Sequence, residues 1–334
     1  MLNKSGLRQA VLQRAAAAVK TRPFRAIGKR RFSLPTTVFE IRSEYILGAR
    51  ILRPSRKVVR VALGELEAGA VSPLLGRPNL LKPEDVSRTL LAVAKVLGSD
   101  KGHFGLLLPD GAVRVSILDF ETLPADRKEQ ESLIRWKMKP LLPFPVEEAR
   151  LSYEVAVKEP AGVEAVVMAM RNSVAAEYES MLEGLNGEVG LVLPSTAALL
   201  PLLSEDAASG ELLLHVSPSQ LTAVVVGGRQ IRLWRNQAMN GKSSEERLAT
   251  VSEEAARTLA AAHDYLGVEI IRVRLCARPS LPEVWVAELG RALSREVESL
   301  VPNPLAVGIK LSREEEQLLS EFGATVTGLL ANAG

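Results

Sequence analysis

Two prolines set the tightest constraint on this sequence. Pro124 and Pro140 bracket a charged segment carrying Leu133, Ile134, Trp136 and Met138, and neither can lie inside a helix, because proline donates no backbone hydrogen bond and biases its predecessor away from the α region. One helix is predicted between them. An apolar run ends just before it at Leu123-Pro124, and a strand-like segment over 151–157 follows, entered through the stiff Pro143-Phe144-Pro145 elbow.

Short apolar runs and amphipathic helices alternate on both sides of this stretch. Residues 38–51 and 57–66 read as consecutive strands joined by Arg53-Pro54-Ser55. Residues 83–97 read as a helix: Pro83 opens it, Glu84 and Asp85 fill the first turn, Val86, Leu90, Val93 and Leu97 recur at helical spacing, and Gly98 stops it. An apolar strand over 104–109 leads through the turn dipeptide Asp110-Gly111 to a strand over 113–118 expected to pair with it. A strand over 163–170, a helix over 173–184, a strand over 190–193 and a helix over 195–203 follow. A second unit begins near Gly210 with a three-strand meander over 212–216, 221–227 and 230–235, turning at Gly227-Gly228. It continues with a helix over 245–266, a strand over 270–275, a helix over 284–293, a short strand over 297–300 and a closing helix over 313–330.

The chain, at 334 residues, is long enough for two domains and a large core. Its single cysteine, Cys276, rules out a disulfide framework and fits a reducing compartment. No apolar run approaches the roughly 18 residues that cross a bilayer, so a soluble or peripheral protein is expected. Charge is placed unevenly: residues 1–31 hold nine cations and no acid, against +3 for the whole chain, which leaves the remainder six charges negative. A basic tail on an acidic body points to an anionic partner, a membrane surface or nucleic acid. Leu7, Val11, Leu12 and Val19 could form an apolar stripe on a basic helix, as in interfacial anchors. The same composition fits a solvated, unordered tail equally well.

The bracketed stretch resembles the PilM family of bacterial type IV pilus assembly proteins and, more distantly, the GspL proteins of type II secretion. The matching letters are Leu123-Pro124, Trp136, Leu142-Pro143-Phe144-Pro145, acidic Glu147-Glu148 and the strand around Tyr153. The Val301-Pro302-Asn303-Pro304-Leu305 passage resembles the one before the last helix of PilM proteins, which extends the likeness over nearly everything from residue 35. The resemblance implies an α/β, actin-like (ribonuclease H-like) two-domain fold with a small inserted α+β subdomain. Its expected parts are a basic tail over 1–33, a first domain over 34–112 and 189–209, the insertion over 113–188, a second domain over 210–311, and a C-terminal helix over 312–334 packed back on the first domain.

Actin-like proteins bind ATP between their domains, and this sequence departs from the family there three times. Nucleotide-binding members carry Asp-Ile-Gly in the first turn, where glycine lets backbone amides approach phosphate. The corresponding letters are Glu40-Ile41-Arg42-Ser43. The second turn, again Asp-Ile-Gly in the family, reads His215-Val216-Ser217-Pro218-Ser219, and the adenosine-side Gly-Gly pair is replaced by Ala277-Arg278. A side chain at a close-approach position costs on the order of 1–3 kcal/mol, and arginine cannot stand in for a lost carboxylate beside Mg²⁺. The cleft therefore reads as vestigial, with no cofactor; ATP with Mg²⁺ belongs to an alternative in which the chain is an active actin-like ATPase.

No other chemistry is organised. His103, His215 and His263 lack metal-ligand spacing, and Ser195 lies in Leu-Pro-Ser-Thr rather than a nucleophile elbow. No catalytic or metal residue is expected. What the resemblance implies instead is binding: a cytoplasmic scaffold, peripheral to the inner membrane, that holds the cytoplasmic peptide of a PilN-like bitopic protein and links to an assembly ATPase, with no nucleic acid as partner. Trp136, Phe144 and Tyr153 are the candidate partner surface, since aromatic anchors beside a stiff backbone suit a peptide groove.

Overall fold

The computed structural model describes residues 34–157, 162–203, 210–228, 230–239, 241–277 and 283–332. The basic tail over 1–33 and Arg278 lie outside them. In chain order the elements are β1 (Thr37–Ile41), β2 (Tyr45–Leu52), β3 (Lys57–Glu65), α1 (Pro83–Leu97), β4 (Lys101–Leu108), β5 (Arg114–Phe120), α2 (Arg127–Met138), β6 (Ala149–Val157), β7 (Val163–Arg171), α3 (Asn172–Ser180) and β8 (Asn186–Pro194). The second half holds β9 (Gly210–Val216), β10 (Gln220–Gly227), β11 (Gln230–Ala238), α4 (Ser244–Asp264), β12 (Ile270–Ala277), α5 (Glu283–Leu293), β13 (Val297–Ser299), α6 (Pro304–Val307), α7 (Arg313–Phe322) and α8 (Ala324–Asn332).

Local chemistry accounts for the helix ends. Pro83 occupies the first turn of α1, and Gly98 closes it in the left-handed conformation at φ 63°, returning its N–H to Lys95. Asp126 caps α2 by accepting from the N–H groups of Lys128 and Glu129. Ser243 with Glu246, and Ser312 with Glu315, form reciprocal capping boxes on α4 and α7.

The strands make two five-stranded sheets of one topology. Lobe I runs β3-β2-β1-β4-β8 and lobe II runs β11-β10-β9-β12-β13. In each, the first three strands are an antiparallel meander and the next two join parallel to the first. Two copies of this order facing each other make the fold actin-like. Lobe I buries both faces: Phe39, Ile46 and Phe104 pack with α1 and α3, while Tyr45, Leu47 and Val58 pack under α7 and α8. In lobe II, Leu212, Leu214 and Val225 pack with Val251 of α4 and Leu289 of α5. The opposite face of that sheet, through Leu213, Val224 and Cys276, meets Leu199 and Leu200 from the 3-10 segment after β8 and Ala324 of α8. That shared core is the hinge between the lobes.

A third sheet, β5-β7-β6, carries α2 on one face, where Leu118, Phe120, Val167 and Ala169 meet Ile134 and Met138. Its other face reaches both lobes: Met170 enters the lobe I core, and Ile117 and Val166 pack against the hinge core.

Several sequence expectations are corrected. The run over 38–51 is two strands, β1 and β2, folded back at Arg42–Tyr45, where the Arg42 N–H donates to the Tyr45 carbonyl. The strand after Asp110-Gly111 does not pair with β4; β5 joins β7. The reason is local, because Asp110–Ala112 is a 3-10 turn whose aspartate faces inward, so the chain leaves the sheet instead of reversing on it. Residues 172–188 do not belong with the inserted sheet: Val174, Tyr178 and Met181 lie in the lobe I core and β8 completes that lobe's sheet. The segment over 195–202 is 3-10, and the closing helix is two helices parted at Gly323.

Candidate functional site

The cleft between the lobes is floored by the turns that the sequence singled out. Glu40 ends β1 with its carboxyl fully buried, and Thr325 of α8 donates to its Oε2 at 2.7 Å. Because the chain reverses tightly after Ile41, the Arg42 side chain turns back into the interior rather than toward solvent. Its Nη1 lies 3.8 Å from Glu40 Oε1, and its Nη2 lies 3.5 Å from Nε2 of His215 at the end of β9. Burial works against the guanidinium charge, but Glu40, with Tyr45, Asp110 and Glu44, holds its pKa above the usual arginine range.

Asp110, 2 % exposed, completes the arrangement from the end of β4. Its Oδ1 accepts the Thr196 backbone N–H at 3.0 Å; its Oδ2 accepts the hydroxyls of Thr196 at 2.6 Å and of Thr222 on β10 at 2.9 Å. Asn236 of β11 donates to Thr222 Oγ1 at 3.2 Å. His215 Nδ1 lies 2.7 Å from Thr196 Oγ1 and 3.6 Å from Asp110 Oδ2. Burial alone would raise the Asp110 carboxyl, yet His215, Arg42 and the threonine donors hold it below the ordinary carboxylate range. For His215, burial and then Arg42 push the imidazole below its usual range against the pull of Asp110 and Glu40, so it sits neutral.

One continuous polar bridge therefore crosses from lobe I (Glu40, Arg42, Asp110, Thr196) to lobe II (His215, Thr222, Asn236). Beside it, Gly111 is packed so closely that a Cβ there would come 2.0 Å from Gln220 Nε2 of the other lobe and 2.8 Å from the Pro73 carbonyl of its own. The second turn is likewise closed on itself: the Ser217 N–H donates to the Gln220 carbonyl at 2.8 Å, and Ser217 Oγ accepts from the Gln220 N–H at 3.0 Å and lies 3.4 Å from Ser219 Oγ. Ala277, at the end of β12, pairs with Val216.

Two carboxyl groups, Glu40 and Asp110, are buried at the cleft floor, and the Arg42 guanidinium lies 3.8 Å from the first. Ser43 Oγ, Arg42 Nη1 and Glu40 Oε1 are buried polar atoms with no hydrogen-bond partner among the described residues. Among the described residues no group of three or more His, Cys, Asp or Glu could hold a metal ion. A cavity of about 480 Å³ adjoins the bridge, lined in part by Gly111, Arg114, Trp234 and Arg235. Ser195, fully buried, donates to the Leu108 carbonyl and is structural.

The three candidate partner aromatics meet three different surroundings. Trp136 on α2 is 69 % exposed. Phe144 is buried, which corrects its assignment as a surface anchor: its ring lies against Gly76, where an added Cβ would come 2.6 Å from Cδ1, so it wedges the insertion onto lobe I. Tyr153 is half-buried and its hydroxyl donates to Gln130 Oε1 at 3.0 Å, tying β6 to α2. Sequence reasoning missed Asp110, Thr196 and Thr222 altogether. The only local signal, an Asp-Gly dipeptide, spoke for a hairpin turn.

No protein-family model matches the sequence, and no curated protein does. Among solved structures, the PilM-PilN type IV pilus biogenesis complex superposes with a TM-score of 0.75 at 17 % identity, over 90 % of this chain and 99 % of that one. A Bacteroides thetaiotaomicron protein with an actin-like ATPase fold gives 0.49 at 11 % identity over 90 % and 96 %. The cytoplasmic domain of EpsL, an inner-membrane component of the Vibrio cholerae type II secretion system, gives 0.45 at 12 % over 74 % and 82 %. The chain thus resembles PilM in structure as well as in the letters around Trp136, and at this identity the likeness is one of fold.

Proposed function

We propose that this chain is a PilM-like component of an inner-membrane assembly platform serving a type IV pilus or a related secretion machine, and that it works by holding partner proteins rather than by turning over ATP. The observation that carries the reading is the superposition on nearly the whole of a chain from a complex of PilM with PilN. The polar bridge supports its second half, since the turns to which the resemblance would assign phosphate and metal carry Arg42 and His215, engaged with each other and with buried carboxyl groups. No helix among the described residues is long and apolar enough to cross a membrane, which is compatible with a cytoplasmic subunit recruited to the membrane through its partners, a PilN-like peptide and an assembly ATPase. Trp136 is the one candidate aromatic left on the surface and is the anchor we assign to the partner peptide.

The test pairs two measurements on the full chain. A synthetic N-terminal peptide of a PilN-like protein is titrated into the native protein and into Trp136→Ala, with binding expected for the first and at least tenfold weakening for the second, about 1.4 kcal/mol. Calorimetry with Mg-ATP is expected to show no heat of binding. Micromolar nucleotide binding would overturn the non-catalytic reading; unchanged peptide affinity in a folded Trp136→Ala would remove that residue from the surface.

A further inference from the structure

The polar bridge links the lobes on the cleft side, beside the Gly111–Gln220 contact and the Arg232–Glu164 ion pair, and opposite an apolar core where Leu199, Leu213 and Val224 pack together. Its hydrogen-bond pattern admits one protonation state. Arg42 can only donate, so His215 Nε2, 3.5 Å away, must accept and carry no proton. The ring proton then sits on Nδ1, 2.7 Å from Thr196 Oγ1, whose own hydrogen goes to Asp110 Oδ2. This tautomer is assigned from the network of donors and acceptors.

We propose that this bridge is a proton-released clasp: it holds the cleft side of the two lobes together without a bound ligand, and lets them part when His215 takes up a second proton. Protonation at Nε2 turns the one acceptor facing Arg42 into a donor and sets two cations 3.5 Å apart, with the His215 side chain 1 % exposed and little water to screen them. The groups facing the ring come from both lobes, and Cys276 of β12, paired with His215 across the sheet, brings a buried thiol that is uncharged at neutral pH. Arg42 opposes the charge. Asp110, 3.6 Å from Nδ1, and Glu40, behind Arg42, favour it. Thr196, Thr222 and Asn236 are uncharged.

Burial and Arg42 outweigh the two carboxyl groups, so the closed form binds the proton more weakly than an imidazole in water does. In the parted form the ring meets solvent and titrates near about pH 6.5. The sign follows: the closed form is fully favoured above that value, and as pH falls below it the ratio of parted to closed molecules rises by up to about tenfold per pH unit, until the closed form itself titrates. Asp110, held below the carboxylate range, stays ionised throughout that window. The clasp concerns the two lobes alone and stands apart from which partner the chain holds.

The experiment reads the distance between lobes in the full chain. Cys276 is buried, so Lys95→Cys on lobe I and Lys242→Cys on lobe II, both exposed, can be labelled for energy transfer. From about pH 8 to about pH 5 a longer-distance population is expected to appear and grow below about pH 6.5. In His215→Gln the response should be flat. In Arg42→Met the closed form should take up the second proton more readily, so the acid response should still begin near about pH 6.5 but be smaller and level off at higher pH; a merely structural role for Arg42 would raise the parted population at every pH without shrinking the response. A pH-independent distance in the otherwise native protein overturns the proposal, as does an unchanged acid response in His215→Gln. Should that variant not fold, an acid response in Arg42→Met as large as that of the native protein overturns it as well.

Discussion

Nη2 of Arg42 lies 3.5 Å from Nε2 of His215, 173 residues further along the chain and in the opposite lobe. Both side chains are almost wholly buried, and each lies at the end of a strand facing the cleft. The guanidinium thus binds the lobes to each other from inside the cleft.

Removing one member of that bridge strands the others. Arg42→Ala leaves the Glu40 carboxyl buried without its cation, and a loss of about 3–5 kcal/mol in urea unfolding is expected. The double variant Glu40→Gln with Arg42→Met removes both charges and should lose much less than the sum of the single changes. Additive losses would show that the two side chains do not act together.

The fit at Gly111 is steric. Gly111→Ala sets a methyl against Gln220 Nε2 and the Pro73 carbonyl, so a loss of about 1–3 kcal/mol is expected, read by thermal unfolding. Adding Gln220→Ala should recover part of it, and the Pro73 contact the rest of the cost.

Phe144 and Trp136 should separate cleanly. Phe144→Ala empties a buried site where the insertion meets lobe I and should cost about 3–5 kcal/mol. Trp136→Ala should change stability by less than about 0.5 kcal/mol. Equal losses in denaturant titrations would contradict the placement of the two rings.

Acid stability should carry the mark of Asp110. Its pKa in the fold lies below that of the unfolded chain, so its contribution is present above about pH 3.9 and is lost as pH falls below that value. Asp110→Asn should therefore be less stable at neutral pH and show a flatter decline below about pH 4. Unfolding midpoints measured against pH for both proteins check this, and parallel acid limbs would contradict it.

What was legible in the letters was what neighbours in the chain decide among themselves. Pro83 with Gly98 bounds α1, and Pro124 with Pro140 brackets α2, because proline geometry and helix ends are set over a few residues. The residue types at Arg42 and His215 were legible in the same way, one position at a time. Their meeting was not, since nothing between positions 42 and 215 encodes a distance.

Tertiary structure alone decided where Asp110 points, that β5 leaves its predecessor to join β7, and that Phe144 goes inside while Trp136, eight residues earlier, stays out. It also decided that two halves without visible sequence repetition fold to one strand order. Burial and pairing are properties of surfaces brought together from distant parts of the chain. A sequence states the composition of each surface, and only packing chooses which two meet.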